Sequence, residues 1–166
     1  FQQLSIKSFI YDFLIQTGNE RYIEQKDLHP FEVNVLSKEQ TLLEKMVSLI
    51  RFSYEENTVE SISKKIRHFY DLYFLMKDPE CKKFVVSDSF KTQFDFILQH
   101  DKGMFEEPTG WQTKEIIESP LIIDFVTIWE QIKGKYQAEL SALAYRTIPD
   151  AESVAKNFIQ LKNRII

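Results

Sequence analysis

The stretch Thr41–Met76, TLLEKMVSLIRFSYEENTVESISKKIRHFYDLYFLM, decides how the chain is read. Leu42, Leu43, Met46, Val47, Leu49 and Ile50 recur at helical spacing and predict an amphipathic helix. It starts near Ser37, which has Gln40 at capping-box spacing. Glu55-Glu56-Asn57 predicts a turn, with Thr58 as the cap of a second helix over Val59–Met76. That helix ends in HFYDLYFLM, apolar around nearly its whole circumference except at Asp71, and such a helix belongs inside a protein. An aspartate there is almost never left unpaired. Candidate partners are Lys45, Arg51, Arg67 and His68. Arg67 stands four residues before Asp71, on the same face. Lys45 lies one turn from Leu42 and Leu49, so its stem borders the apolar ridge while its ammonium reaches outward or across to a neighbouring helix.

The totals support a packed core around this hairpin. The 166 residues are 43% hydrophobic, with 14 Phe and 7 Tyr, which argues against disorder. Four Gly and five Pro favour long helices over a many-turned β fold. A net charge of −4 is not that of a bulk nucleic-acid binder. Cys81 is the sole cysteine, so neither an intrachain disulfide nor a Cys-based metal site is expected, and His29, His68 and His100 lack ligand spacing. No run approaches the ~18 apolar residues of a membrane span, and no signal peptide is visible. The expectation is a cytoplasmic protein with no membrane partner. Because the chain begins at Phe1 without Met, it reads as a piece of something longer.

Working outward, Leu4–Thr17 predicts an amphipathic helix with Ser5 as its N-cap and Gly18 as its stop. Phe31, Val33 and Val35 alternate with polar residues and predict a half-buried strand. One or two strands make no stable sheet alone, so residues 1–36 read as the edge of a sheet whose other strands lie upstream. Beyond the hairpin, helices are expected over Asp78–Phe84 and from Asp88 to about His100. A loop is expected over Asp101–Gln112, then one long helix from Pro120 past Gly134 to Leu143, and a last helix after Pro149-Asp150. The expected fold is mainly α: a bundle of six or seven helices in all, with residues 37–166 as the helical domain, and one or two short N-terminal strands.

Spacing alone leaves two accounts of Lys45, Arg51, Arg67 and Asp71 open. One is an ion-pair network tying the two hairpin helices together. The other is a phosphate site, with the lysine as a compact point charge and the carboxylate holding it in place or meeting a bound metal. His68 is either a general base or simply packed. Lys64-Lys65-Ile66-Arg67 is either a solvated face or a contact for a nucleic-acid backbone. Glycine-rich phosphate loops, GxSxG, DxD and CxxC patterns are absent.

LLEKMVSLIRF followed by IRHFYDLYFLM resembles the second half of the AbiEii/AbiGii-type nucleotidyltransferase toxins. Their pattern T-x-x-E-K-x-x-x-L, an arginine a turn later, then R-(D/H)-x-x-D-L-x-x-L, is matched by Thr41, Glu44, Lys45, Leu49, Arg51, Arg67, His68, Asp71, Leu72 and Leu75. HPFEVNVLSKEQ resembles the strand that leads into the family's lysine helix, and WEQIKGKYQAELSALAYRTIPD a helical tail seen in some members. The resemblance implies that Lys45 contacts a nucleoside triphosphate and that Asp71 completes the site from the helical side. Glu44, Arg51, Arg67 and His68 stand in support. It further implies Mg²⁺ and NTP as cofactor and substrate, RNA as an acceptor, and a cognate antitoxin as partner. The family's Gly-Ser motif and its Mg²⁺-binding DxD pair belong to an upstream nucleotidyltransferase domain, and no such motif precedes Leu4. Residues 1–36 are then a remnant of that domain, and the chain by itself is expected to fold, to hold no metal and to transfer nothing. The competing expectation is a non-catalytic interaction module with Lys45 and Asp71 as a structural pair.

Overall fold

Ser8 sets the first departure from that reading. Its hydroxyl accepts the Tyr11 amide at 3.1 Å and caps α1, Phe9–Gln16, so the helix begins at Phe9 rather than Leu4. In the computed structural model, which describes residues 2–143 and 147–166, the preceding Gln2–Ile6 is a strand, β1. It pairs antiparallel with β2, Phe31–Val35, in the register Ile6↔Phe31, Leu4↔Val33. One face of this ribbon carries Leu4, Ile6, Phe31 and Val33, and the other Ser5, Gln3, Glu32 and Asn34. Leu4 and Ile6 obey period 2, but five residues are too few to outweigh the helical pattern that follows. Between the strands, α2 (Arg21–Lys26) ends at Asp27 in the left-handed region, φ 49°. These elements make one compact unit, Phe1–Ser37, and the rest of the chain makes a second, Lys38–Ile166.

The second unit opens with α3, Lys38–Phe52, which buries the predicted ridge from Leu42 to Ile50. The expected helix over Val59–Met76 is two helices. Asn57, not Thr58, caps α4 (Thr58–Lys64) by accepting the Glu60 amide at 3.1 Å. At Lys65 (φ −105°, ψ 15°) the helix breaks, and α5 resumes over Ile66–Leu75. No Gly or Pro marks that break, so the local sequence carried no sign of it. Asp78 then caps α6, Pro79–Val85, by accepting the amides of Glu80 and Cys81. Helix α7 spans Ser89–Met104 and so runs through Gly103 beyond the expected end, as a single helical Gly costs only ~1 kcal/mol. Two short 3-10 helices follow, Trp111–Thr113 and Ile116–Glu118.

The long helix expected from Pro120 is likewise divided, into α8 (Pro120–Ile123) and α9 (Phe125–Leu143), at Asp124 (φ −140°, ψ 52°). Asp124 Oδ1 accepts the Thr127 amide at 3.4 Å, so the dividing residue has a capping type and position. Asp150 caps the last helix, α10, Ala151–Lys162. The resembled tail includes residues 144–146, which lie outside the described residues. Ten α-helices and one two-stranded ribbon are thus found among the described residues, a mainly α fold with short N-terminal strands and more helices than expected.

Helices α5, α9 and α10 pack on one another through a cluster of rings. Phe69 lies 5.8, 5.2 and 5.0 Å from the ring centroids of Phe125, Trp129 and Phe158. Edge contacts of this kind add to the area the rings bury. Together with α3, against which α5 packs from the other side, they fix the orientation of α5 and therefore of Asp71.

Candidate functional site

Helices α3 and α5 run antiparallel, and the site grows from that pairing. Lys38, Lys45 and Ser48 follow helical spacing along one face of α3. Facing them in reverse order are Asp78, Asp71 and His68: Lys38 Nζ to Asp78 Oδ2 is 2.5 Å, Lys45 Nζ to Asp71 Oδ2 is 2.7 Å, and Ser48 Oγ to His68 Nε2 is 3.4 Å. Each step forward on α3 is matched by an equal step backward on the other strand of the hairpin.

Lys45 and Asp71 meet as a pair, but at a cleft mouth rather than in the core. Their side chains are 22% and 37% exposed. The expectation that α5 is buried all round is therefore corrected. It buries Ile66, Phe69 and Leu72, and leaves Arg67 and Phe74 in solvent. The cleft has a volume of about 520 Å³. Lys38, Thr41 and Lys45 form one wall, and Asp71, Phe74, Leu75 and Asp78 the other. Of these, Lys38, Phe74 and Asp78 were not singled out from the sequence. The signal for them was their offset: seven residues before Lys45, and three and seven after Asp71.

The other residues of the pattern do not join this cleft. Glu44 and Arg51 stand on a different face of α3, because neighbouring helical positions diverge by about 100°. They line a second cleft of about 410 Å³ with Gln40, Asp101 and Phe105. Glu44 accepts a hydrogen bond from Gln40 at 2.9 Å. The Arg51 guanidinium lies over the Phe105 ring, 3.9 Å from its centroid, and its nearest carboxylate, on Asp101, is 4.0 Å away. Its Nε and Nη1 are buried without a hydrogen-bond acceptor among the described residues. Burial pulls the Arg51 pKa down, with the Asp101 charge opposing. Arg67 is exposed and makes no ion pair among the described residues, so sharing a face with Asp71 did not bring them together.

His68 is pushed from 6.5 down to about 4, first by burial and then by the positive charge of Lys45. It is therefore neutral at pH 7, and too weak a base to suit general-base work there. No cluster of three or more His, Cys, Asp or Glu side chains suited to a metal ion occurs among the described residues. Nor is any of their helices long and apolar enough to cross a membrane.

No curated protein and no solved structure matches the chain. A family model described as the nucleotidyl transferase AbiEii toxin of type IV toxin–antitoxin systems matches residues 9–157, and the chain belongs to that family.

Proposed function

We propose that the chain forms the helical side of a nucleotidyltransferase site, in a protein that moves a nucleotide from an NTP to an acceptor such as RNA. The observation that carries this reading is the Lys45–Asp71 pair at 2.7 Å, open to solvent on the rim of a 520 Å³ cleft. A pair that keeps contact with solvent contributes less to folding than a fully buried one, so an incoming phosphate can take over the ammonium at modest cost to the scaffold. Lys45 then supplies a point charge to the triphosphate. Asp71 aims it, because the rigid α5 backbone fixes the carboxylate while the lysine stem lies along α3.

In the transfer itself, the acceptor oxygen forms a bond to the α-phosphorus, the bond to the bridging oxygen breaks, and pyrophosphate leaves. Such reactions depend on positioning and on charge held ready for the phosphates. Mg²⁺ counters phosphate charge when bound. The cleft offers two carboxylates, Asp71 and Asp78, each held by a lysine, and no group of three or more His, Cys, Asp or Glu side chains suited to a metal ion occurs among the described residues. The other ligands of Mg²⁺ would come from the nucleotide's own oxygens and from acids of a catalytic domain to which residues 1–36 would contribute a sheet edge. A cognate antitoxin and a cytoplasmic setting complete the reading.

Lys45→Met tests it, because methionine keeps most of the apolar stem and removes the charge. In the full-length protein, transfer of label from NTP to RNA should vanish while the unfolding midpoint stays nearly unchanged. The chain alone, incubated with labelled NTPs, Mg²⁺ and bulk tRNA, should transfer nothing above blank. A loss of more than ~2 kcal/mol in urea unfolding of Lys45→Met would make the pair scaffold instead.

A further inference from the structure

The cleft that holds Lys45 has an apolar wall that the charge pairs do not explain. Phe74, in the last turn of α5, is 47% exposed, whereas Phe69 on the same helix is 1% exposed. Its ring is not loose. Tyr70 and Tyr73 flank it at 4.8 and 5.5 Å between centroids, the first tilted and the second edge-on, while nearly half of the residue stays open to solvent. Phe74 stands one turn from Asp71, on the wall opposite Lys45. On the facing helix, Lys38 and Lys45 lie two turns apart, about 10 Å along the axis.

We propose that Phe74 is the platform on which the base of the bound nucleotide stacks, while its phosphates lie against the lysine wall. This rests on the nucleotide reading above and adds the place and kind of base recognition. The occupant follows from what the cleft offers. A flat apolar ring beside two lysines, each able to exchange its carboxylate partner (Asp78 or Asp71) for a phosphate, fits a molecule that joins an aromatic plane to a polyanion, which is the chemistry of a nucleoside triphosphate. A volume of about 520 Å³ lies within the range of small-ligand sites. Stacking reads the face of a base and not its edge. The site therefore discriminates weakly among bases, with purines favoured over pyrimidines by their larger face.

The test is equilibrium binding to the full-length protein in Mg²⁺, with ATP, GTP, CTP, UTP and inorganic tripolyphosphate as probes. The variants are Phe74→Ala, Phe74→Trp and Lys45→Met. Phe74→Ala should weaken all four nucleotides about tenfold or more, the scale of losing one stacked base. Tripolyphosphate should bind it as before, and Phe74→Trp should restore nucleotide affinity. A fluorescent 2-aminopurine triphosphate should be quenched on the unmodified protein and not on Phe74→Ala. Equal loss of nucleotide and tripolyphosphate, or no loss of either, overturns the platform. If Lys45→Met weakens tripolyphosphate while Phe74→Ala leaves nucleotides untouched, the platform falls and the nucleotide reading stands. If Lys45→Met changes nothing, or the unmodified protein binds no probe, both fall.

Discussion

Lys45 and Arg51 leave the same helix less than two turns apart and meet opposite fates. Lys45 reaches a carboxylate at 2.7 Å on the rim of one cleft and keeps contact with water. Arg51 lies under Phe105 and beside Trp111, with two nitrogens unsatisfied and a carboxylate no nearer than 4.0 Å. The difference teaches which cation is available to a ligand. A solvated ammonium can change partners at little cost. A guanidinium held by stacked rings cannot turn outward without giving up its packing. A shared sequence pattern thus contains one cation left half-open beside a carboxylate and another packed beneath aromatic rings.

The comparison can be broken most forcefully at Arg51. Arg51→Ala should cost about 2–4 kcal/mol in urea unfolding, because it removes the packed stem from beneath Phe105 and takes the guanidinium away from the half-buried Asp101, leaving it, among the described residues, only His100 at 3.6 Å. Arg51→Met, which keeps the stem and removes the unsatisfied donors, should cost much less. A negligible loss for Arg51→Ala would put the guanidinium in the same class as the Lys45 ammonium.

The next effect is read by pH, at His68. Its pKa is about 4 in the folded chain against 6.5 ordinarily, so the unfolded state binds the proton first as pH falls. The contribution of a neutral His68 is complete above pH 6.5. It declines as pH drops from 6.5 towards 4 and is constant below that. The loss is at most about 3 kcal/mol, and less in practice because the ring is partly solvated. Thermal melts of His68→Gln should be flatter than those of the unmodified chain across that window. Parallel curves would show that the imidazole is not desolvated.

Asp78→Ala should fall between Arg51→Ala and Lys45→Met, since it takes the partner from Lys38 and the cap from α6 together. Asp78→Asn, which keeps the cap, should recover most of the loss. Lys45→Met and Asp71→Ala should be the mildest, each about 1 kcal/mol or less, as expected for a pair that keeps contact with solvent. A larger cost for Asp71→Ala than for Arg51→Ala would reverse the contrast between the two clefts.

Much of this was legible because helical period, prolines and capping residues are local. The buried ridge from Leu42 to Ile50, the strand at Phe31–Val35, and the helix starts at Pro79, Pro120 and Asp150 all follow from neighbours in sequence. The breaks at Lys65 and Asp124 were not, for different reasons. Asp124 offered a capping side chain that apolar periodicity on either side outweighed. Lys65 offered nothing, and only tertiary packing turns the chain there. β1 escaped because its pairing with Phe31–Val35 is non-local. The meeting of Lys45 with Asp71 was legible as one choice among several. Local spacing pointed equally to Arg67, four residues from Asp71, and the antiparallel course of α3 and α5 decided for the lysine.

That antiparallel course limits how the gene can vary in length. The pairs Lys38–Asp78, Lys45–Asp71 and Ser48–His68 share one register, so they stand or fall together. A codon gained or lost inside α3 between Lys38 and Ser48 rotates everything beyond it by about 100° and misaligns the pairs on one side of the lesion. A codon gained or lost at the exposed Glu56, between the buried Ser53 and the cap Asn57, alters only the connection, and the same pairs can re-form around a longer or shorter loop. Insertions and deletions among naturally occurring versions of this hairpin should therefore collect at the turn, leaving the two helices fixed in length even where most of their letters change.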